Sequence, residues 1–253
     1  MIVLISTVYV YLITQMMFVW VLYKGLKNPS IVDVSWSIGL IVSGCIYLWC
    51  QSPNNVRVYF ITILLLIWGL RLAGYLFITR ILPGHIDKRY IALSEQWKIA
   101  KSLGFFLNFQ LQGLLILILS TPFLFAGMYS PTHLVFWDDV AIILILIGIV
   151  GETIADSQLH QYQSHPIEPV CNIGLWYYSR HPNYFFEWVV WCGFTCFAFQ
   201  SIYGCISLIS PLVLYLIMTK FTGPMTERGS IQSRGQAYID YMERTPMFFP
   251  WRQ

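Results

Sequence analysis

Seven apolar runs, separated by more polar stretches, leave this chain one architecture. A spanning helix needs about 20 predominantly apolar residues, and runs near that length fall at roughly 2–22, 31–50, 57–79, 105–127, 137–158, 184–200 and 204–221. In hydrocarbon, backbone N–H and C=O groups need partners within the protein, and runs of this length meet that need as helices. The chain is 57% hydrophobic and 11% charged, with a mean hydropathy of +0.62, so a soluble globule is excluded. We expect an all-α membrane protein of about seven transmembrane helices with a cytosolic C-terminal tail, forming one domain over 1–253. The last two runs are short and separated only by Gln200-Ser201-Ile202-Tyr203-Gly204, which reads as a helical hairpin. The first has no charged lead and no small-residue cleavage site before Lys24, so it reads as a retained helix, not a signal peptide.

Loop charges set the orientation. Lys24 and Lys27 follow the first run, and Arg80, Lys88, Arg89, Lys98 and Lys101 lie between the third and fourth. Arg180 precedes the sixth, and Arg228, Arg234, Arg244 and Arg252 fill the tail. All fall on one side if the N-terminus is outside and the tail cytosolic, in a bacterial inner membrane or an endoplasmic reticulum membrane. The opposite loops carry Asp138 and Asp139, with Arg57 as the exception. The net charge of +3 is therefore a topology signal, and no nucleic-acid partner is expected. Six cysteines show neither zinc-type nor disulfide spacing and read as packing residues, so no metal is expected. There is no phosphate-binding glycine loop of the soluble nucleotide-binding kind.

Ionisable groups inside spans are costly and face a partner or a cavity. Asp33 opens the second run, where an acid also suits a helix start. Arg71 lies three residues after Trp68 on the third, free to snorkel to the interface or pair with a carboxylate. Glu152, Asp156 and His160 recur every fourth residue and form a polar stripe at the end of the fifth run. A solvated helix end accounts for His160 but poorly for Glu152. The stripe reads either as part of a buried ion-pair network or as groups that grip ribose hydroxyls and an amide.

The densest signal is Trp176-Tyr177-Tyr178-Ser179-Arg180-His181-Pro182-Asn183-Tyr184, followed by Glu187. Pro182 suits the first turn of a helix, and Asn183 and Glu187 then share one face of it. An interfacial belt of Trp, Tyr and Arg is the plain reading, but it does not call for Asn and Glu on the inward face. In the tail, Tyr238 and Tyr241 share a face, while Arg228 and Arg234 read as positive-inside residues or as phosphate partners.

This combination resembles the steroid 5α-reductase and sterol reductase superfamily of membrane enzymes, nearest to a mostly bacterial branch. The residues that carry it are Trp176, Ser179 to Tyr184, Glu187, Arg234-Gly235, Tyr238, Tyr241 and Pro250. Val32-Asp33 with Trp36, Asp87 with Arg89-Tyr90, and Glu152 with Ala155-Asp156 and Gln158-Leu159 add branch-like features, so the likeness covers about 28–251. The resemblance implies an NADPH-dependent reductase that passes hydride to an activated C=C bond of a lipid drawn from the bilayer. It puts the cofactor on a half of about 137–253, with Glu152, Asp156, Arg180, His181, Asn183, Tyr184, Glu187, Arg228, Arg234 and Tyr238 as cofactor-binding candidates. It also implies a catalytic role for Asp33, the early acid of the second helix; Arg71, which marks the polar side of the third, is the other catalytic candidate. Where the steroid enzymes carry a partner tyrosine in the third helix, this chain offers Trp68, which leaves the proton donor open.

Two other readings compete. The Arg-His-Pro-x-Tyr corner is similar to that of isoprenylcysteine and phospholipid methyltransferases, which use S-adenosylmethionine and carry adjacent acids in the tail, where this chain has Glu227-Arg228. A non-catalytic lipid-binding protein is the third.

Overall fold

The computed structural model describes residues 1–129, 131, 133–165 and 168–251, which leaves Arg252 outside the described residues. Every regular element among them is helical. Twelve α-helices follow in order: α1 (Ile2–Leu26), α2 (Ile31–Gln51), α3 (Val56–Leu76), α4 (Lys88–Glu95), α5 (Lys101–Leu119), α6 (Thr121–Met128), α7 (Phe136–Ser164), α8 (Leu175–Tyr178), α9 (Pro182–Ala198), α10 (Ile209–Leu216), α11 (Gly223–Arg234) and α12 (Gln236–Arg244).

Among the described residues, six helical stretches have the length and apolarity to cross a bilayer: Ile2–Leu26, Ile31–Gln51, Val56–Ile81, Lys101–Met128, Phe136–Ser164 and Gly204–Arg234. The protein is thus an integral, multi-pass membrane protein. The remaining expected span is α9, whose 17 residues rise about 26 Å against a hydrocarbon core of about 30 Å. The last stretch outruns its expected end at 221. It passes through a π-helical segment, Ile217–Thr222, into α11, with Pro224 in the first turn, where a missing N–H is tolerated.

The chain divides into two compact units, Met1–Asp138 with Thr195–Ser210, and Asp139–Phe194 with Pro211–Gln253. In the first, α1 buries only a stripe, Val8, Leu12, Met16 and Val19, at helical spacing, and leaves its other faces to lipid. Packing of α2 against α3 needs small residues. A Cβ on Gly44 would lie 2.5 Å from Leu65 Cδ2, and one on Gly69 would lie 2.6 Å from Ile41 Cγ1. Arg57, the cation that broke the loop asymmetry, is fully buried on Asp138 at 2.8 Å. It also donates to the carbonyls of Ala126, Tyr129 and Phe197. This neutral, saturated pair removes Arg57 from the loop charge count, because its charge never reaches solvent.

In the second unit, glycines bring α7 and α9 together. A Cβ on Gly148 would meet the Phe186 carbonyl at 2.8 Å, and one on Gly193 would meet the Ala141 carbonyl at 2.9 Å. That approach places the acids of α7 opposite the polar start of α9. The tail closes the same unit: Phe248 and Phe249 pack edge-on to Phe185 and Trp188.

Candidate functional site

Apart from the Arg57–Asp138 pair, the candidate site residues among those described gather in two clusters, one in each unit. In the second unit the corner before α9 is built on Gly174, whose φ of 54° favours glycine. A Cβ there would also strike the Gln158 carboxamide at 2.1 Å. Gln158 in turn accepts the Leu175 N–H at 3.0 Å, and the Trp176 indole donates to the Ala155 carbonyl at 2.9 Å. These bonds tie the corner to the polar end of α7.

Helix α9 starts at Pro182, and His181 is buried beneath it. Asn183 Nδ2 donates to Asp156 Oδ1 at 3.4 Å, and its own oxygen accepts the Tyr184 N–H at 3.1 Å. One turn on, Glu187 accepts from the Trp191 indole at 3.0 Å. Glu152, Asp156 and Glu187 are each 6% exposed or less, so three carboxylates lie inside one unit of a membrane protein. His160, the third member of the stripe, is exposed. The ring of Tyr184 stacks on His181, with centroids 4.9 Å apart and planes 9° from parallel.

Arg180 does not join those acids. Its Nε donates to Glu227 Oε1 at 2.6 Å, its Nη2 reaches Glu227 Oε2 at 3.3 Å, and its Nη1 donates to the Met242 and Thr245 carbonyls. Its backbone N–H donates to the Pro246 carbonyl at 2.9 Å. The guanidinium therefore satisfies the end of α12 and straps the tail to the corner. The tail's other straps are the Tyr241 hydroxyl, donating to the Trp176 carbonyl, and the Ser179 hydroxyl, donating to the Phe248 carbonyl at 2.9 Å. Glu227, which also lies 3.2 Å from His181 Nε2, is the hub that reasoning from the sequence missed. The expected span ended at 221 and left Glu227 in the tail, where an acid calls for no buried cation; only the continuation of the helix through α11 brings it to Arg180.

Tyr238 packs with Val170 and Tyr241, and burial, then the Glu227 charge, pushes its hydroxyl up to about 12. Arg228 is exposed, whereas Arg234 is half-buried with its guanidinium 6.0 Å from the Tyr162 ring centroid. Six residues apart on α11, the two arginines point about 120° from one another.

In the first unit, Asp33 sits in the first turn of α2 and binds three groups. Arg80 Nη1 donates to it, Arg89 Nη2 lies 3.4 Å away, and the Tyr90 hydroxyl donates to Oδ1 at 2.5 Å. A π-helical segment at the end of α3, Phe77–Ile81, carries Arg80. Asp87 caps α4 by accepting the Arg89 N–H at 2.9 Å, and it also pairs with both arginines. Burial opposes the Asp87 charge, but the Arg89 and Arg80 guanidinium groups outweigh it and hold the carboxyl at about 2. Burial, then the Asp33 carboxylate, raises the Tyr90 hydroxyl well above the usual phenol range, so it stays protonated. Arg71 lies half-buried in α3, one turn from the fully buried Trp68, and is not among the partners of Asp33. Tyr90, Arg80 and Arg89 thus gather on Asp33, which alone of the four was expected to have a catalytic role. Their separation from Asp33 in the chain follows no helical period that would have revealed it.

No curated protein and no solved structure matches the chain. Residues 19–245 match a family described as "Protein of unknown function (DUF1295)". That match covers most of the chain, including both polar clusters, and the protein belongs to this family.

Proposed function

We propose that the protein is a membrane-embedded, NADPH-dependent reductase of the steroid 5α-reductase-like kind, acting on an activated C=C bond of a bilayer lipid. The observation that carries this reading is the Tyr90 hydroxyl held 2.5 Å from Asp33. Conjugate reduction needs a proton donor at the substrate's carbonyl oxygen, whereas methyl transfer needs none there. Glu227 also weakens the methyltransferase reading, since its carboxylate is engaged by Arg180 and His181.

Bound NADPH would supply the hydride. Asn183 beside Asp156 offers both a donor and an acceptor for the nicotinamide amide, and Glu152 and Glu187 offer acceptors for ribose hydroxyls. Arg234 or the exposed Arg228 would take the 2′-phosphate, with Tyr184, His181 and Tyr238 as flanking groups. These donor types fit the cofactor. On this reading Arg180, engaged by Glu227 and the carbonyls at the end of α12, serves as a strap and not as a cofactor ligand. In the first unit, the Tyr90 hydroxyl swings from Asp33 to the substrate's carbonyl oxygen and gives up its proton there. Asp33 keeps Arg80 and Arg89 meanwhile, so no bare carboxylate is left behind. Asp33 orients the donor and is not itself the acid.

The test is NADPH consumption by protein in lipid nanodiscs against a panel of lipophilic enones. Stoichiometric loss of NADPH and enone supports the reading. No turnover with any enone, together with retention of a co-purified lipid, would favour a non-catalytic lipid-binding protein.

A further inference from the structure

Helix α5 belongs to the apolar stretch Lys101–Met128, yet it carries two half-buried carboxamides, Asn108 and Gln112, one turn apart on one face. A carboxamide taken out of water needs partners within the protein. Gln112 Nε2 donates to Asn108 Oδ1 at 2.9 Å, and the same nitrogen lies 3.5 Å from the Tyr90 hydroxyl oxygen. A carboxamide nitrogen carries two hydrogens, so both bonds form at once.

The polarity of this chain is fixed at its far end. A phenol has a single hydrogen, and Tyr90 donates it to Asp33 Oδ1. Toward α5 the phenol oxygen can therefore only accept. Gln112 must present its nitrogen there, because its oxygen would set two acceptors face to face. Asn108 Oδ1 takes the other hydrogen and locks the amide in that orientation. Asn108, Gln112, Tyr90 and Asp33 thus form one directed run of hydrogen bonds from α5 through α4 to the start of α2.

We propose that Gln112 is a positioning residue for proton delivery by Tyr90, steadying the phenol oxygen and stabilising the phenolate left behind, with Asn108 fixing its amide. The proposal rests on the reductase reading. In that reaction the Tyr90 O–H bond breaks and the proton goes to the substrate's carbonyl oxygen, balancing the hydride received at the β-carbon. The bonding pair stays on the phenol oxygen until water returns a proton. That phenolate faces the Asp33 carboxylate from α2, countered by Arg80 on the π-helical segment and Arg89 on α4. Asp87 is taken up by the same two arginines. Helix α5 brings no charge, since Lys101, its one ionisable residue, stands at the helix start; its Phe105 meets the Tyr90 ring at 6.4 Å. At 3.5 Å the Gln112 bond is weak in the resting state. A hydrogen bond to an ionised oxygen is shorter and roughly twice as strong, so Gln112 favours the phenolate over the phenol.

The experiment uses the full chain in nanodiscs with a trifluorinated tyrosine at position 90, a phenol several units more acidic than tyrosine. Its ionisation is followed by fluorine NMR across pH, without cofactor or substrate. Gln112→Leu, an exchange that a membrane helix tolerates, should raise the midpoint by about one unit, the weight of a hydrogen bond to a charged group. Asn108→Leu, which frees the amide to turn, should raise it less, and decides the matter if Gln112→Leu fails to fold. In the unlabelled chain, Gln112→Leu should lower kcat by about tenfold and leave KM for the enone unchanged. An unmoved midpoint in both variants overturns the proposal, as does a raised KM with kcat intact. A raised midpoint in a protein that turns over no enone would sink the reductase reading and leave the hold of Gln112 on Tyr90 standing.

Discussion

Arg180 and Glu227 form a nearly buried pair, 11% and 8% exposed, with Nε 2.6 Å from Oε1 and the remaining guanidinium donors on carbonyls at the end of α12. The arginine of the corner thereby fastens the tail. Glu227→Gln strands the guanidinium, and removing one partner of a buried pair costs about 3–5 kcal/mol. Thermal unfolding in mild detergent should show the loss. An unchanged melting temperature with weakened NADPH binding would instead return Arg180 to the cofactor.

Nucleotide choice tests the arginines left over. Arg234→Ala should weaken NADPH binding by about 1.5–3 kcal/mol if a charge-assisted phosphate contact is lost. Binding of NADH, which lacks that phosphate, should hardly change. Equal affinity of the parent protein for both nucleotides would remove the basis for a phosphate role of Arg234 or Arg228.

The helices were legible in the chain because bilayer thickness fixes their length, and an apolar run of that length has few other uses. What stayed hidden depends on pairing across distance. Arg57 read as a stray loop cation until Asp138, far along the chain, was found to bury with it. Tyr90 stood out only beside Asp87 and Arg89 in a branch-like pattern, and only the π-helical turn carrying Arg80 and the cap by Asp87 bring its neighbourhood to Asp33. The corner's composition was plain, but the partner of Arg180 was not, since Glu187 and Glu227 were equally plausible acids by type. The break of the last span into α10, a π-helical turn and α11 likewise left no mark in hydropathy, which is insensitive to a change in hydrogen-bond register.

Asp87 should leave a signature at low pH. Its carboxyl is held at about 2 against an ordinary 3.8, so its contribution to stability is present above the ordinary value. That contribution is lost as pH falls toward 2, where the folded state must also protonate. Melting temperatures measured down this range should fall for the parent protein and fall less steeply for Asp87→Asn. Parallel curves for the two proteins would show that Asp87 contributes no such linkage.

Orientation is open to direct labelling. With the N-terminus outside and the tail cytosolic, His133→Cys should react with a membrane-impermeant maleimide applied from outside intact cells. Arg244→Cys should react only after permeabilisation. The reverse pattern would invert the topology and move the proposed cofactor cluster to a side without NADPH.

The central claim is that Tyr90, held by Asp33, delivers the proton in an NADPH-dependent C=C reduction. Its most direct test is coupled loss of NADPH and of a lipophilic enone in nanodiscs, measured for the parent protein and Tyr90→Phe side by side. The account predicts stoichiometric turnover by the parent. It predicts a fall of about 10²–10⁴-fold in kcat for the variant, the usual weight of a general acid, with NADPH affinity retained. Turnover by Tyr90→Phe at the parent's rate would contradict it.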